Sequence, residues 1–361
     1  MASFNFQPYI DKLNIKSIQP YIDKLKIKSV PHDLLAVDFS QDTPRCCRVS
    51  QSNGEVQLVA ADILPSIQEG ASTDQNDTGK NISLPANLMA RHVVICLSGK
   101  NALIKLLSLP GQLNDDSEIK IREDMGISTD EFRIGYKVLG HSHGRGETKL
   151  VTVALPEKEI QLYLSLFSSG WPVPVSVELA GLAAINAFIK GYMDTCTEES
   201  LGVIQIEDHV SFFAFLHKKE IVLIRKFEFG HEHILSAIQS RLNVNRETAL
   251  NVASDQSFDI TQMIKEVCDP FIRQLVISKH FVERREDCRV SQIYIPGTAP
   301  ASHRLAQEIR VASEGKVEQW DPLKAVTVAP DAVSSKVSLS GQYSQFAASI
   351  GASIGFLGEE K

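Results

Sequence analysis

Apolar residues in this chain recur in two matching blocks, one opening at Leu34 and the other at Leu201. The first reads Leu34 to Ser40, then Arg45 to Ser50, a Ser52-Asn53-Gly54 turn, and Glu55 to Ala60. The second reads Leu201 to Asp208, then Val210 to Leu216, a Lys218-Lys219 turn, and Ile221 to Phe227. Continuous or alternating β-branched runs joined by short turns predict antiparallel meanders. Helical sequence follows each meander. The pattern therefore predicts an α/β chain of two related lobes with a cleft between them.

Between the blocks, Val93–Ser98 and Ala102–Leu109 read as strands around a Gly99-Lys100 turn. Ser117 caps a helix from Glu118 to Met125. Phe132–Val138 and Leu150–Leu155 read as strands, separated by a loop at His141–Gly146. Pro156-Glu157 opens a helix running to Phe167, which Gly170 closes. Val173–Val177 predicts a short buried strand and Ala180–Phe188 an alanine-rich helix. Beyond the second block, helices are expected at 231–242, 245–253 and 258–283, and a strand at Val290–Ile295. A helix at His303–Ala312 and an apolar one at Tyr343–Phe356 complete the pattern. The polar run 71–83 reads as an exposed loop.

The N-terminus carries a separate pattern. Residues 7–18 recur at 19–30 with only Asn14 changed to Lys26 and Ile18 to Val30. Pro20 breaks a continuous helix, and a shift of twelve residues turns an apolar stripe by about 120°. The copies therefore cannot share one helical face. Lysines 12, 16, 24, 26 and 28 outweigh Asp11 and Asp23, a weak pull toward an anionic membrane. A free tail or a docked partner segment is the preferred reading.

Composition narrows the function classes. A net charge of −7 and a pI near 5.8 argue against nucleic acid as a partner. At 43% hydrophobic and 22% charged, the chain has a globular composition, and 361 residues suffice for two lobes. No run approaches the roughly 18–20 apolar residues of a membrane span. Met-Ala-Ser-Phe-Asn lacks the pattern of a signal peptide. The six cysteines show no CxxC and no ligand spacing with histidine, so reduced, partly buried thiols are expected.

Enzyme motifs are sparse. His141-Ser142-His143 has a metal-like spacing without a third ligand, whereas zinc takes three or four. His231 and His233 do not converge at i,i+2 on a helix. No G-x-S-x-G, HExxH or P-loop occurs. No metal site is predicted. Arg284-Arg285 beside Glu283 and Glu286 reads as a salt-linked helix face.

Several stretches resemble the PilM family, the actin-like component of type IV pilus assembly. They are Val151–Ile160, Ser169-Gly170-Trp171, Val177-Glu178, Arg225–Gly230, Ile293–Pro300, Asp321-Pro322 and Ala347–Leu357. The filament-forming FtsA and the secretion component GspL are related families. The resemblance implies an actin-like fold of two RNase H-like lobes with an inserted FtsA/PilM-type 1C subdomain. Its expected division is a tail (1–33), lobe 1 (34–91), the insert (92–170), a return to lobe 1 (171–200), lobe 2 (201–335) and a C-terminal helix back on lobe 1 (336–361). It implies a cytoplasmic scaffold, peripheral at the inner membrane, that binds the N-terminal peptide of a PilN-like membrane protein in a pilus or type II secretion-like machine. Self-association is a further implied contact. Leu103, Ile104, Leu106 and Leu107, on the expected edge of the insert, are its groove candidates.

The resemblance also supplies a test of the cleft. An actin-type phosphate loop needs glycine where the backbone meets phosphate, and carboxylates for Mg²⁺. The family pattern Asp-x-Gly stands here as Asp38-Phe39-Ser40 and as Gln205-Ile206-Glu207. Glu207 is expected to point charge at the phosphate site, and like charges about 4 Å apart repel by ~4 kcal/mol at an effective dielectric near 20. The double glycine has become Gly230-His231, the nucleoside-side Ala-Glu is Ala249-Leu250, and the later Gly-Gly turn is Pro296-Gly297-Thr298. The expectation is a degenerate cleft with no cofactor, its remnants being Asp38, Ser40, Gly230 and Gly297. Glu178 is a weak catalytic candidate, more simply a surface residue. The alternative is a working ATPase, with Asp38 and Glu178 at Mg²⁺ and Gly230 and Gly297 at the nucleoside, or an FtsA-like filament protein.

Overall fold

The central strand of each lobe is apolar on both faces, and each lobe is laid out around it. The computed structural model describes residues 32–66 (without 53), 82–111, 113, 117–127, 131–142, 146–167, 170–297 (without 256), 302–330, 332 and 342–358. The duplicated tail, nearly all of the 71–83 run, His143 and Thr298 lie outside these residues.

In lobe 1, β1 (Asp33–Asp38) pairs antiparallel with β2 (Arg45–Ser52), and β2 with β3 (Glu55–Ile63). On its other side β1 pairs parallel with β4 (His92–Leu97), and β4 with β8 (Val173–Leu179). Lobe 2 repeats the plan. Here β9 (Ser200–Ile206) starts a meander through β10 (Ser211–His217) and β11 (Glu220–Phe227). β12 (Gln292–Pro296) and β13 (Lys316–Trp320) then add parallel strands. The sheet orders are β3-β2-β1-β4-β8, extended at the β3 edge by β14 (Thr327–Val328), and β11-β10-β9-β12-β13. Lys218 and Lys219 both take positive φ, 51° and 67°, which makes the tight turn between β10 and β11.

A third, smaller sheet is inserted between β4 and β8. It holds β5 (Leu103–Pro110), β6 (Phe132–Ser142) and β7 (Glu147–Pro156) in the order β5-β7-β6. Helix α1 (Ser117–Met125) closes a small core of Leu109, Ile121, Met125, Ile134 and Leu150. Helix α2 (Glu157–Ser165) leads back to lobe 1. Two expected boundaries are corrected. The insert begins at Leu103 rather than 92, because β4 is an inner strand of lobe 1, and β14 belongs to lobe 1 although it falls within 201–335. The Gly99-Lys100 turn makes no hairpin; it carries the chain from one sheet to another. His141 and Ser142 continue β6 instead of forming a loop.

Alternation along the lobe 2 strands divides their side chains between two cores. Leu201 and Val203 of β9, Phe212 and Ala214 of β10, and Tyr294 of β12 face lobe 1. Ile204, Ile206, Phe213, Phe215, Ile293 and Ile295 face the helices of lobe 2. Those helices are α4 (His231–Leu242), α5 (Arg246–Ser254), α6 (Thr261–Glu286) and α7 (Ser302–Ser313). Helix α3 (Ala180–Tyr192) runs between the lobes, and α8 (Ala347–Leu357) packs on it inside lobe 1. Every residue of α8 is buried, and a Cβ at Gly351 would lie 1.8 Å from the Ala183 carbonyl oxygen. Glycine there lets the two helices touch.

The lobes meet on Phe212, which is fully buried. Its ring lies where two glycines of lobe 1 have no side chain. A Cβ at Gly99 or at Gly181 would stand 2.1 Å from ring atoms. Nearby, Phe188 and Tyr192 of α3 stack on each other and meet Tyr294 and Trp320 of lobe 2. Replacing Phe212 with alanine is expected to cost about 3–5 kcal/mol, the range for emptying a buried aromatic site. Urea unfolding of the variant measures it.

Candidate functional site

The turn after β1 and the turn after β9 face each other across the cleft. Asp38 ends β1, and its Oδ1 accepts from the Ser40 amide at 2.9 Å. Burial pushes the Asp38 carboxyl up to about 6, against the hydrogen bonds from Ser40 and the charge of Arg45, with Asp208 adding to the rise. Ser40 is buried beside it. Glu178, on β8, is 2% exposed and accepts from Ser176 Oγ at 2.8 Å. It is not the surface residue expected: β8 is the edge strand of its sheet, yet its stretch from Val175 to Leu179 is buried throughout.

Glu207 departs from expectation more sharply. Its Oε2 accepts from Ser98 Oγ at 2.9 Å and from the Gly99 amide at 3.1 Å, so it bridges to lobe 1 and does not line the cleft cavity. Its other oxygen is buried with no partner among the described residues. Burial pushes the carboxyl up to about 8, with Asp38 and Asp208 adding to the rise. The rise favours the protonated form near neutral pH, and the carboxyl is turned toward Ser98 and Gly99 instead of into the cavity.

The negative wall comes from Asp208 instead, one residue further on. Asp208 Oδ2 accepts from the Asp42 amide at 3.0 Å across the cleft, and Oδ1 lies 3.5 Å from His231 Nδ1. Burial alone would raise Asp208, but the hydrogen bond and charge of His231 and the Asp42 amide bring it below the usual range. Asp42, Asp208 and Glu232 place carboxylate oxygens within 4.8 Å of one another, close enough to offer ligand atoms to one cation. Arg246 already bridges two of them: its guanidinium lies 2.9 Å from Asp42 and pairs with Glu232. Sequence reading missed this group because its members lie far apart in the chain and no motif links them.

The cavity between the turns measures about 500 Å³. Arg45, Gln205, Asp208, His231, Arg246 and Pro296 are among its lining residues. Gln205 Oε1 and His231 Nε2 are buried without partners among the described residues. The first amides of α4 do not face the cavity as free donors, since His231 N–H and Glu232 N–H donate to the carbonyls of Glu207 (3.0 Å) and Asp208 (2.9 Å). Gly230, which precedes α4, is pressed on the same carbonyls; a Cβ there would meet the Asp208 oxygen at 2.4 Å. Its glycine serves this packing. Gly297 follows β12 and neighbours Gln319. The structure thus places Asp38 and Ser40 at the turn beside the cleft, but neither they nor Glu178, Gly230 and Gly297 line its cavity.

A second recess lies between the insert and the rest of the molecule. One pocket is lined by Val138 and Leu139 of β6, Leu182, Ile185 and Ile189 of α3, and Ile221 and Ile224 of β11. A second, of about 480 Å³, is lined by Leu106 and Leu107 of β5, again by Leu139 and Ile221, and by Arg285 and Glu286. Leu139 and Ile221 line both, so the two recesses are neighbours along one groove wall. Leu106 and Leu107 line it, Leu103 is exposed on the same strand, and Ile104 packs inward on lobe 1.

A family model for the type IV pilus assembly protein PilM matches residues 37–354. The chain belongs to the PilM family. No curated protein sequence matches it. This PilM-family chain superposes on a solved PilM-PilN type IV pilus biogenesis complex with a TM-score of 0.69 at 17% identity, covering 91% of this chain and 98% of that one. It also matches a Bacteroides thetaiotaomicron protein with an actin-like ATPase fold and unknown function (TM-score 0.45, 8% identity, 86% and 95% covered). A third likeness is the ethanolamine utilization protein EutJ from Carboxydothermus hydrogenoformans (TM-score 0.42, 12% identity, 97% of each chain). The fold is actin-like. Among the described residues no helix is long and apolar enough to cross a membrane.

The buried carboxyls of this PilM-family cleft make its stability depend on pH. A carboxyl whose value is raised in the folded state binds more protons folded than unfolded, so stability falls as pH rises between the two values. For Glu207 that window runs from 4.5 to about 8, and for Asp38 it ends near 6. Urea unfolding from pH 5 to 9 should show stability falling up to about 8. Glu207→Gln should flatten the part above 6 and be more stable than the parent at pH 8.

Proposed function

We propose that this chain is a cytoplasmic scaffold of a type IV pilus machine, docked at the inner membrane by gripping the N-terminal peptide of a PilN-like membrane protein. The observation that carries the proposal is the groove between the insert, α3 and β11. Half-buried Leu106, Leu139 and Ile221 and buried Ile185 give it aliphatic surface, and Lys137, Glu147, Lys149, Glu220, Arg285 and Glu286 give it charge of both signs. Among the described residues, Leu106 sits on β5, which pairs with β7 alone, and Ile221 on β11, which pairs with β10 alone. An extended segment entering there meets strand edges for its backbone and aliphatic surface for alternate side chains. The solved PilM-PilN complex, similar in fold over most of this chain, supports the choice of partner.

The interlobe cleft serves as a joint in this reading. Its carboxylates are neutralised from within the chain by Arg246 and His231, the α4 amides are taken by its own backbone, and Ser40 and Glu207 occupy the places where glycine admits phosphate. Membrane association is indirect, through the partner.

Calorimetric titration tests both halves. A synthetic peptide of the cytoplasmic N-terminal residues of the PilN-type protein should bind one-to-one, and Leu106→Asp should weaken it at least about tenfold, since a charge would be buried against aliphatic surface. MgATP should give no saturable heat. Saturable MgATP binding at micromolar concentration would restore the ATPase reading.

A further inference from the structure

The two long walls of the groove belong to different bodies, β5 to the insert and β11 to lobe 2. Among the described residues no backbone ladder joins them. At one end a side chain of β11 reaches the turn that leads into β5. Lys226, near the end of β11, donates from Nζ to the carbonyls of Gly99 (3.1 Å), Lys100 (3.0 Å) and Ala102 (2.7 Å). Those carbonyls form the turn that leads into β5, and they use all three protons of the ammonium. From this clasp β11 runs back to Val222 and Ile221, and β5 runs forward to Leu106 and Leu107. The recess of about 480 Å³ opens at that far end.

The turn is fixed from two further directions. Glu207 holds the Ser98 hydroxyl and the Gly99 amide, and the Phe212 ring fills the space beside Gly99. All three grips come from lobe 2, so the turn moves with lobe 2 while β5 carries the groove wall. A change of angle at Gly99–Ala102 therefore changes the spacing of the walls.

We propose that Lys226 is a positioning residue that sets the width of the groove by clasping the Gly99–Ala102 turn to β11. The proposal rests on the peptide reading of that groove. Lys226 touches no part of the groove floor, and its partners are neutral carbonyls. Methionine would keep its aliphatic stem and remove the donors, and arginine would restore donors.

The test uses the full chain with Lys226→Met and Lys226→Arg. Hydrogen exchange is followed over Gly99–Leu109, and the PilN-type peptide is titrated by calorimetry. Lys226→Met should speed exchange in that segment and weaken the peptide about tenfold, as loss of roughly one net hydrogen bond of positioning would do. Its thermal midpoint should stay within a few degrees of the parent, about the shift that ~1 kcal/mol gives in a chain of this size, and Lys226→Arg should recover most of the affinity. Unchanged exchange in Lys226→Met overturns the proposal, as does unchanged affinity, or lost affinity that follows the thermal midpoint and is not recovered by arginine. If the parent chain does not bind the peptide, the functional reading falls by itself. Exchange over Gly99–Leu109 then decides the clasp, faster exchange upholding it.

Discussion

One aromatic ring governs how the two lobes sit. Phe212 belongs to lobe 2 by chain order, yet it packs in the core of lobe 1, between Gly99 and Gly181. A protein interior is packed as densely as an organic crystal, so a ring with backbone on both sides leaves little room for one lobe to roll over the other. The aromatic group of Phe188, Tyr192, Tyr294 and Trp320 adds a second contact between the same bodies. Both contacts are apolar and fully or nearly buried. The polar bridges of the cleft, Asp42 to Asp208 and Ser98 to Glu207, form on a frame these contacts have already fixed.

That frame explains why so many ionisable groups can share one cleft. A buried carboxylate is tolerated only where it is paired, hydrogen-bonded or protonated. Each solution occurs here within a few residues. Asp208 is paired and hydrogen-bonded, Asp42 and Glu232 share a guanidinium, and Glu207 keeps its proton. The carboxylates are thus held by groups of the chain itself, while Gln205 Oε1 and His231 Nε2 have no partner among the described residues. The groove beside the insert is different, because aliphatic surface lies open in it beside charged residues and its strand edges have no ladder partner among the described residues.

Much of the frame was legible in the sequence. Both meanders, the inner helix of lobe 2 that starts at His231 and the glycine-bearing final helix stand close to where periodicity puts them. β13 and β14 were missed: Lys316–Trp320 alternates only weakly, and two residues at Thr327–Val328 carry no period. The insert was drawn too long because β4 and β5 are equally apolar, and sequence cannot say that the turn between them changes sheets. Glu207 was read as a charge in the phosphate position, since side-chain direction depends on Ser98 and Gly99, more than a hundred residues away. The cluster of Asp42, Asp208, Glu232 and Arg246 had no sequence signal, being assembled by the fold alone.

The placement of α8 bears on how the chain is made. This helix is the final stretch described, and it is wholly buried against α3 and the lobe 1 sheet. Lobe 1 leaves the ribosome before lobe 2, and it stays without part of its own interior until Ala347–Leu357 has followed. Nascent chains of this protein expose the bare flank of α3 while lobe 2 is being made, so a truncation that removes Ala347–Leu357 damages the earlier-made of the two lobes.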